Sequence, residues 1–256
     1  MLKKTFLFAT LCLSLSVELF NSTAPAIAIP RNSTFLTPRR SLLKFKVPGI
    51  RASRNREGGL ARGACSPQDI TAVLPAKPPT MRENQVPVEL TVSERPAFFV
   101  NIPQTSVQEA VFLLRNESGK KILLEKTLPI NATSGIATYT LPADFPGLEV
   151  GKKYRWRLSL ICDANDSSSN PRTGGWIERV QPTALVQKRL QTARNRDKVA
   201  IYADNGYWLD TIKALADLRT ANPTDKTLVN DWVAIFQSVG LNGIANKPLV
   251  ELNTTP

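Results

Sequence analysis

The stretch from Leu148 to Val180, LEVGKKYRWRLSLICDANDSSSNPRTGGWIERV, decides the fold class. Tyr154, Trp156, Leu158 and Leu160 recur every second residue, so they share one face of a strand over Lys153 to Cys162. Asp163 to Asn170 is a polar loop, and Gly174 to Val180 reads as a second strand. Tyr154 lies three residues after Gly151 and six after Leu148. That is the spacing of a tyrosine corner in immunoglobulin-like and fibronectin-like sandwiches.

Working outward toward the N-terminus, further strands appear. Val86, Val88, Leu90 and Val92 alternate with other residues. Ala97 to Ile102 is bounded by Pro96 and Pro103, and Ala110 to Arg115 leads into the turn residues Asn116-Glu-Ser-Gly119. Lys121 to Leu128 and Gly135 to Leu141 complete a set of seven short strands. The expectation is an α+β chain, mainly β: a seven-stranded, antiparallel, immunoglobulin/fibronectin-like β-sandwich over residues 67–181.

Toward the C-terminus the apolar period lengthens to that of helices, giving a small three-helix domain over residues 182–252. Leu185 to Ala193 reads as the first helix, which continues or restarts through Tyr202-Ala203. Trp208, Ile212, Leu215 and Arg219 form one stripe, and Leu228, Trp232, Ile235 and Val239 another. Thr224 or Asp225 supplies an N-cap and Gly240 a C-cap. The residues around Tyr202-Ala203, Gly206, Trp208 and Asp210 look like a single degenerate tetratricopeptide-type helix pair, read here as a structural cap. Helices this short must pack on each other or on the sandwich.

Residues 1–28 read as an export signal. Lys3 and Lys4 precede an apolar run, and Ala26-Ile27-Ala28 offers small residues for cleavage after Ala28, or alternatively Ala26. No later segment is apolar enough to span a membrane, so no transmembrane anchor is expected after cleavage. Cys65 and Cys162 then remain, a pair that suggests one disulfide in an oxidising periplasmic or extracellular compartment. Residues 29–66 read as a basic, disordered linker broken by prolines and glycines. Residues 31–62 hold nine basic residues against the single acid Glu57, which accounts for most of the formal charge of +12. Such an arm suits an anionic polymer, and after export that means polysaccharide, peptidoglycan or lipid headgroups rather than nucleic acid.

The chain has no histidine, which removes serine–histidine and cysteine–histidine nucleophile systems. Two cysteines without histidine make no structural zinc site. Ser41-x-x-Lys44 and Ser118-x-x-Lys121 match a spacing used by some acyl-transfer enzymes, but one falls in the linker and the other in a turn. Asp163, Asn165 and Ser167 begin a calcium-loop spacing that lacks its glycine and its closing glutamate, and the stretch reads as a hydrogen-bonded loop. No cofactor, metal or catalytic set is therefore expected. A competing expectation is a hydrolase working through carboxylates such as Asp163, Glu178 and Asp210.

The mature chain resembles a cyanobacterial family of exported proteins known only as a domain of unknown function, number nine-two-eight. The resemblance is carried by Arg62-Gly63-Ala64-Cys65, by Ser93-Glu94-Arg95-Pro96 running to Pro103, and by Leu148-Glu-Val-Gly151-Lys-Lys-Tyr154-Arg-Trp156 running to Cys162-Asp163. Gly175-Trp176-Ile177-Glu178-Arg179-Val180 and Tyr202 to Asp210, with Trp208, complete it. It implies export and a cyanobacterial source, and no established activity, cofactor or catalytic residue. Tyr154, Trp156, Trp176, Glu178, Arg179 and Trp208 are read as structural signature residues. The function expected is a non-enzymatic interaction module of the cell envelope, with an envelope protein or an anionic polymer as partner.

Overall fold

The computed structural model describes residues 42–48, 52–53, 69–130, 134–166 and 168–252. The expected signal peptide, most of the linker and Cys65 lie outside the described residues. The strands are β1 (Ala52–Ser53), β2 (Thr71–Ala72), β3 (Val86–Thr91), β4 (Ala97–Ile102), β5 (Glu109–Asn116), β6 (Ile122–Pro129), β7 (Gly135–Thr140), β8 (Lys153–Leu160), β9 (Arg172–Arg179) and β10 (Leu249–Glu251). The helices are α1 (Ala184–Thr192), α2 (Asn195–Asp204), α3 (Trp208–Ala221) and α4 (Lys226–Ser238), followed by a 3-10 turn at Asn242–Ile244. The fold is α+β and mainly β, as the periodicity requires.

The strands form two sheets, ordered β1-β3-β9-β8-β5-β6 and β10-β7-β4-β2. The expectation of seven strands, all antiparallel, needs correction. Ten strands form among the described residues, and β3–β9 and β7–β10 pair in parallel. The cause lies at Ser93–Pro96. There the chain leaves the larger sheet after β3 and enters the smaller one as β4. Strand β9, returning antiparallel to β8, then fills the place beside β3 in the same direction. Alternation reports which face of a strand is buried; it carries no information on partner or direction.

Aromatic rings close the space between the sheets. The Phe98 ring centroid lies 4.9 Å from Phe112 and 5.0 Å from Trp156, and Tyr139 lies 4.6 Å from Phe112. The helices make a further layer that shares the same core. In α3, Trp208, Ile212 and Leu215 are buried, and the Trp208 indole N–H donates to the Val73 carbonyl at 2.8 Å. In α4, Leu228, Trp232, Ile235 and Phe236 are buried, and the Asp225 carboxylate caps the helix by accepting from the Thr227 amide at 2.8 Å. Four α-helices form among the described residues where three were expected, because the first helix stops and restarts as α2. Asn195, at φ 49°, turns the chain between α1 and α2. None of the helices among the described residues is long and apolar enough to cross a membrane.

Residues 42–48, expected within the flexible linker, are a packed strap across α2, α3 and α4. The Leu43 and Phe45 side chains are buried while Lys44 and Lys46 point outward. The Phe45 ring meets Trp208 edge-on at 4.9 Å. The Phe45 amide donates to Ser238 Oγ at 3.1 Å and the Lys46 amide to the Ala203 carbonyl at 3.0 Å. Pro48 comes so close to Gly206, itself at φ 72°, that a Cβ there would stand 2.8 Å from the proline ring. The charge of the segment hides a two-residue apolar period, which is what buries it.

Candidate functional site

Four of the five blocks of sequence that carried the family resemblance meet at one corner of the sandwich, and the fifth, Arg62 to Cys65, lies outside the described residues. The Leu148 amide donates to the Glu94 carbonyl at 2.8 Å, and the Gly151 amide to the Arg179 carbonyl at 2.7 Å. The Arg179 guanidinium donates to the Leu148 carbonyl and lies 3.9 Å from the Glu94 carboxylate. Tyr154 is buried, and its hydroxyl accepts from the Glu149 amide, five residues upstream, at 2.8 Å. This is the contact that defines a tyrosine corner. From the helical side, the Asp210 carboxylate accepts from the Val92 amide at 3.1 Å, tying the first turn of α3 to the end of β3.

Beside this corner lies a cleft of about 440 Å³, walled by Pro96 and Ala97 on one side and by Leu209, Ala214 and Leu218 of α3 on the other. Asp210, Tyr202, Lys198, Lys213 and Asp217 reach its surface. Burial pushes the Asp210 carboxyl up to about 6, against the pull of hydrogen bonds from Val92, Thr91 and Ser93. Burial also pushes the Tyr202 phenol up to about 12, helped by the charge of Asp210. Lys213 and Asp217 neutralise each other one turn apart, at 2.6 Å.

Of the three carboxylates expected for hydrolysis, Asp210 alone lines the cleft. Asp163 and Glu178 are not among the residues lining the cleft. Asp163 sits in the loop after β8, where its side chain accepts from the Asn165 amide at 2.7 Å. Asp166 is likewise taken up by the Ser168 amide and hydroxyl, at 2.9 and 2.6 Å. Glu178 is buried in β9, in register with Lys153 and Leu90, and is engaged. Asp210 holds strand to helix. The hydroxyl of Ser118 donates to the Asn116 side chain within its turn at 3.1 Å, and Lys44 lies on the outer side of the strap. Trp156 belongs to the inter-sheet core, and Trp176 lies beneath the Arg155 guanidinium at 5.2 Å.

The residues that sequence reasoning missed are on the outer face of the larger sheet. The strand that buries Tyr154, Trp156 and Leu158 must aim Arg155 and Arg157 the other way. Arg115 of β5 stands directly opposite Arg155, and Arg172 of β9 opposite Ser159, one step beyond Arg157. Partial burial, and after it the three neighbouring guanidiniums, hold Arg157 below the usual arginine range, with Glu125 the opposing acid. The Arg115 head donates to the Gly119 carbonyl at 3.2 Å and leaves its Nε buried and unbonded. The legible signal was the alternation Lys153-x-Arg155-x-Arg157 itself, the polar complement of the apolar face.

No curated protein matches this chain. Residues 51–249, well over half of it, match the family described as Domain of Unknown Function (DUF928), from the larger sheet's edge strand to the start of the last strand; the chain belongs to that family.

Proposed function

We propose that this protein is an exported, non-enzymatic interaction module of a cyanobacterial cell envelope. One observation carries the reading: the carboxylates with the best claim to chemistry are occupied by folding contacts, while the Arg157 and Arg172 side chains on the open sheet face form no ion pair or hydrogen bond among the described residues. A hydrolase needs two carboxyl groups converging on one bond. Here the acids are distributed to a strand end, a loop and a buried register position. The lysine pair and the Ala26-Ile27-Ala28 site support export. The tyrosine corner supports relating the sandwich to immunoglobulin-like domains. A disulfide between Cys65 and Cys162 fits the same compartment. Cys162 is not a free thiol, and non-reducing peptide mapping of protein recovered from the periplasm tests whether Cys65 is its partner.

The competing hydrolase reading has one observation in its favour: Asp210 borders the cleft, and its carboxyl titrates at about 6, where a general acid works. The test is to incubate the protein with envelope glycans and follow new reducing ends, alongside Asp210→Asn. No turnover by either protein is the expected result. Turnover by the parent that Asp210→Asn abolishes would replace the binding module with an enzyme.

A further inference from the structure

We infer that the arginine strip formed by Arg115, Arg155, Arg157 and Arg172 on the outer face of the larger sheet binds a linear, carboxylate-bearing polysaccharide. The inference rests on the interaction-module reading and supplies its partner class and its surface.

Like charges are held together here at a cost. Arg157 is exposed, and neither it nor Arg172 has an ion pair or hydrogen bond among the described residues. Arg115 is anchored through one nitrogen, with another buried and unbonded, and Arg155 rests on the Trp176 ring. Four guanidiniums in one strip, with Glu125 the one acid that acts on Arg157, form a site organised for anions before any anion arrives. Guanidinium is the head group whose fork matches a carboxylate with two parallel hydrogen bonds.

The geometry selects a strand-like ligand. Residues two apart along β8 recur every ~6.7 Å, and residues opposite one another across strands stand ~5 Å apart. A chain whose acids recur every ~5–7 Å meets one guanidinium after another. The strip is flanked on its β6 side by the exposed Glu125 and, at the turn before β6, by Glu117, which pairs with Lys153 at 3.7 Å. A flat anionic membrane would press on those acids as well as on the arginines. A single polymer lying along β8 and β9 avoids them. Hydrogen-bonded neighbours on both sides of β8 hold the spacing rigid, so little ordering is needed on binding.

The probe is polygalacturonate, with neutral dextran as control, titrated against the full chain by calorimetry at several salt concentrations. Arg157→Gln and Arg172→Gln should each weaken binding about three- to tenfold and flatten the salt dependence by about one released ion each. Arg157→Glu with Arg172→Glu should abolish it, and Lys188→Gln, on the exposed side of α1, should change nothing. Melting curves establish that the variants stay folded. Retained affinity in the double reversal would overturn the proposal and point to the basic N-terminal arm. Equal affinity for polyphosphate or for phosphatidylglycerol vesicles would overturn the assignment to a carboxylated glycan. New reducing ends from polygalacturonate would instead defeat the non-enzymatic reading, whatever the arginine variants do.

Discussion

Glu89 offers the sharpest test of the interior. It lies on β3, 5% exposed, beside a cavity of about 20 Å³ walled by Val47, Pro48, Pro75, Ala76, Pro78 and Met81. Burial in that apolar wall pushes its carboxyl from 4.5 up to about 8. The folded state therefore holds the proton that the unfolded state gives up. Stability from this group is fully present below pH 4.5 and falls as pH rises toward 8. At ~1.4 kcal/mol per tenfold change in acidity the whole swing is about 5 kcal/mol. Asp210 acts in the same direction but only between 3.8 and about 6. The interval from pH 6 to pH 8 thus isolates Glu89, and about 2 kcal/mol of the swing falls there. Glu89→Gln keeps the shape and removes the titration. Urea unfolding of both proteins at fixed ionic strength from pH 5 to 9 is the assay. The parent should lose about 2 kcal/mol relative to the variant between pH 6 and 8. Parallel stability curves over that interval would refute the argument, as would a carbon-13 titration placing Glu89 in the ordinary carboxylate range.

Tyr154→Phe removes the acceptor for the Glu149 amide and should cost about 1–2 kcal/mol in a denaturant melt without altering binding; unchanged stability would dismiss the corner as a stabilising contact. Phe45→Ala empties the edge-on contact with Trp208 and should cost about 3 kcal/mol. Limited proteolysis should stop short of Leu42 in the parent and pass beyond it in this variant. Asp231→Ala strands the Arg196 guanidinium, and the Leu43 amide that also donates to Asp231 at 3.4 Å. A loss of about 3–5 kcal/mol is expected by calorimetry, and a change below 1 kcal/mol would show that the pair is solvated.

What the sequence determined by itself was local. The two-residue period placed Tyr154, Trp156, Leu158 and Leu160 on the buried face of β8, and the spacing Leu148–Gly151–Tyr154 located the corner. The helical period marked the buried stripes of α3 and α4. Each of these follows from the geometry of one element, in which a side chain's direction is set by its own position along the backbone. The tertiary structure decided what depends on partners distant in the chain. It put β9 parallel to β3, tied Asp210 to Val92 across 118 residues, and drew Leu43 and Phe45 out of a basic segment into the core. It also gathered Arg115, Arg155, Arg157 and Arg172 from three strands into one strip. Periodicity names the face a residue occupies, but the neighbour it meets there is chosen by the packing of the whole chain, because a strand edge or a helix stripe accepts many partners and only the lowest joint arrangement selects one.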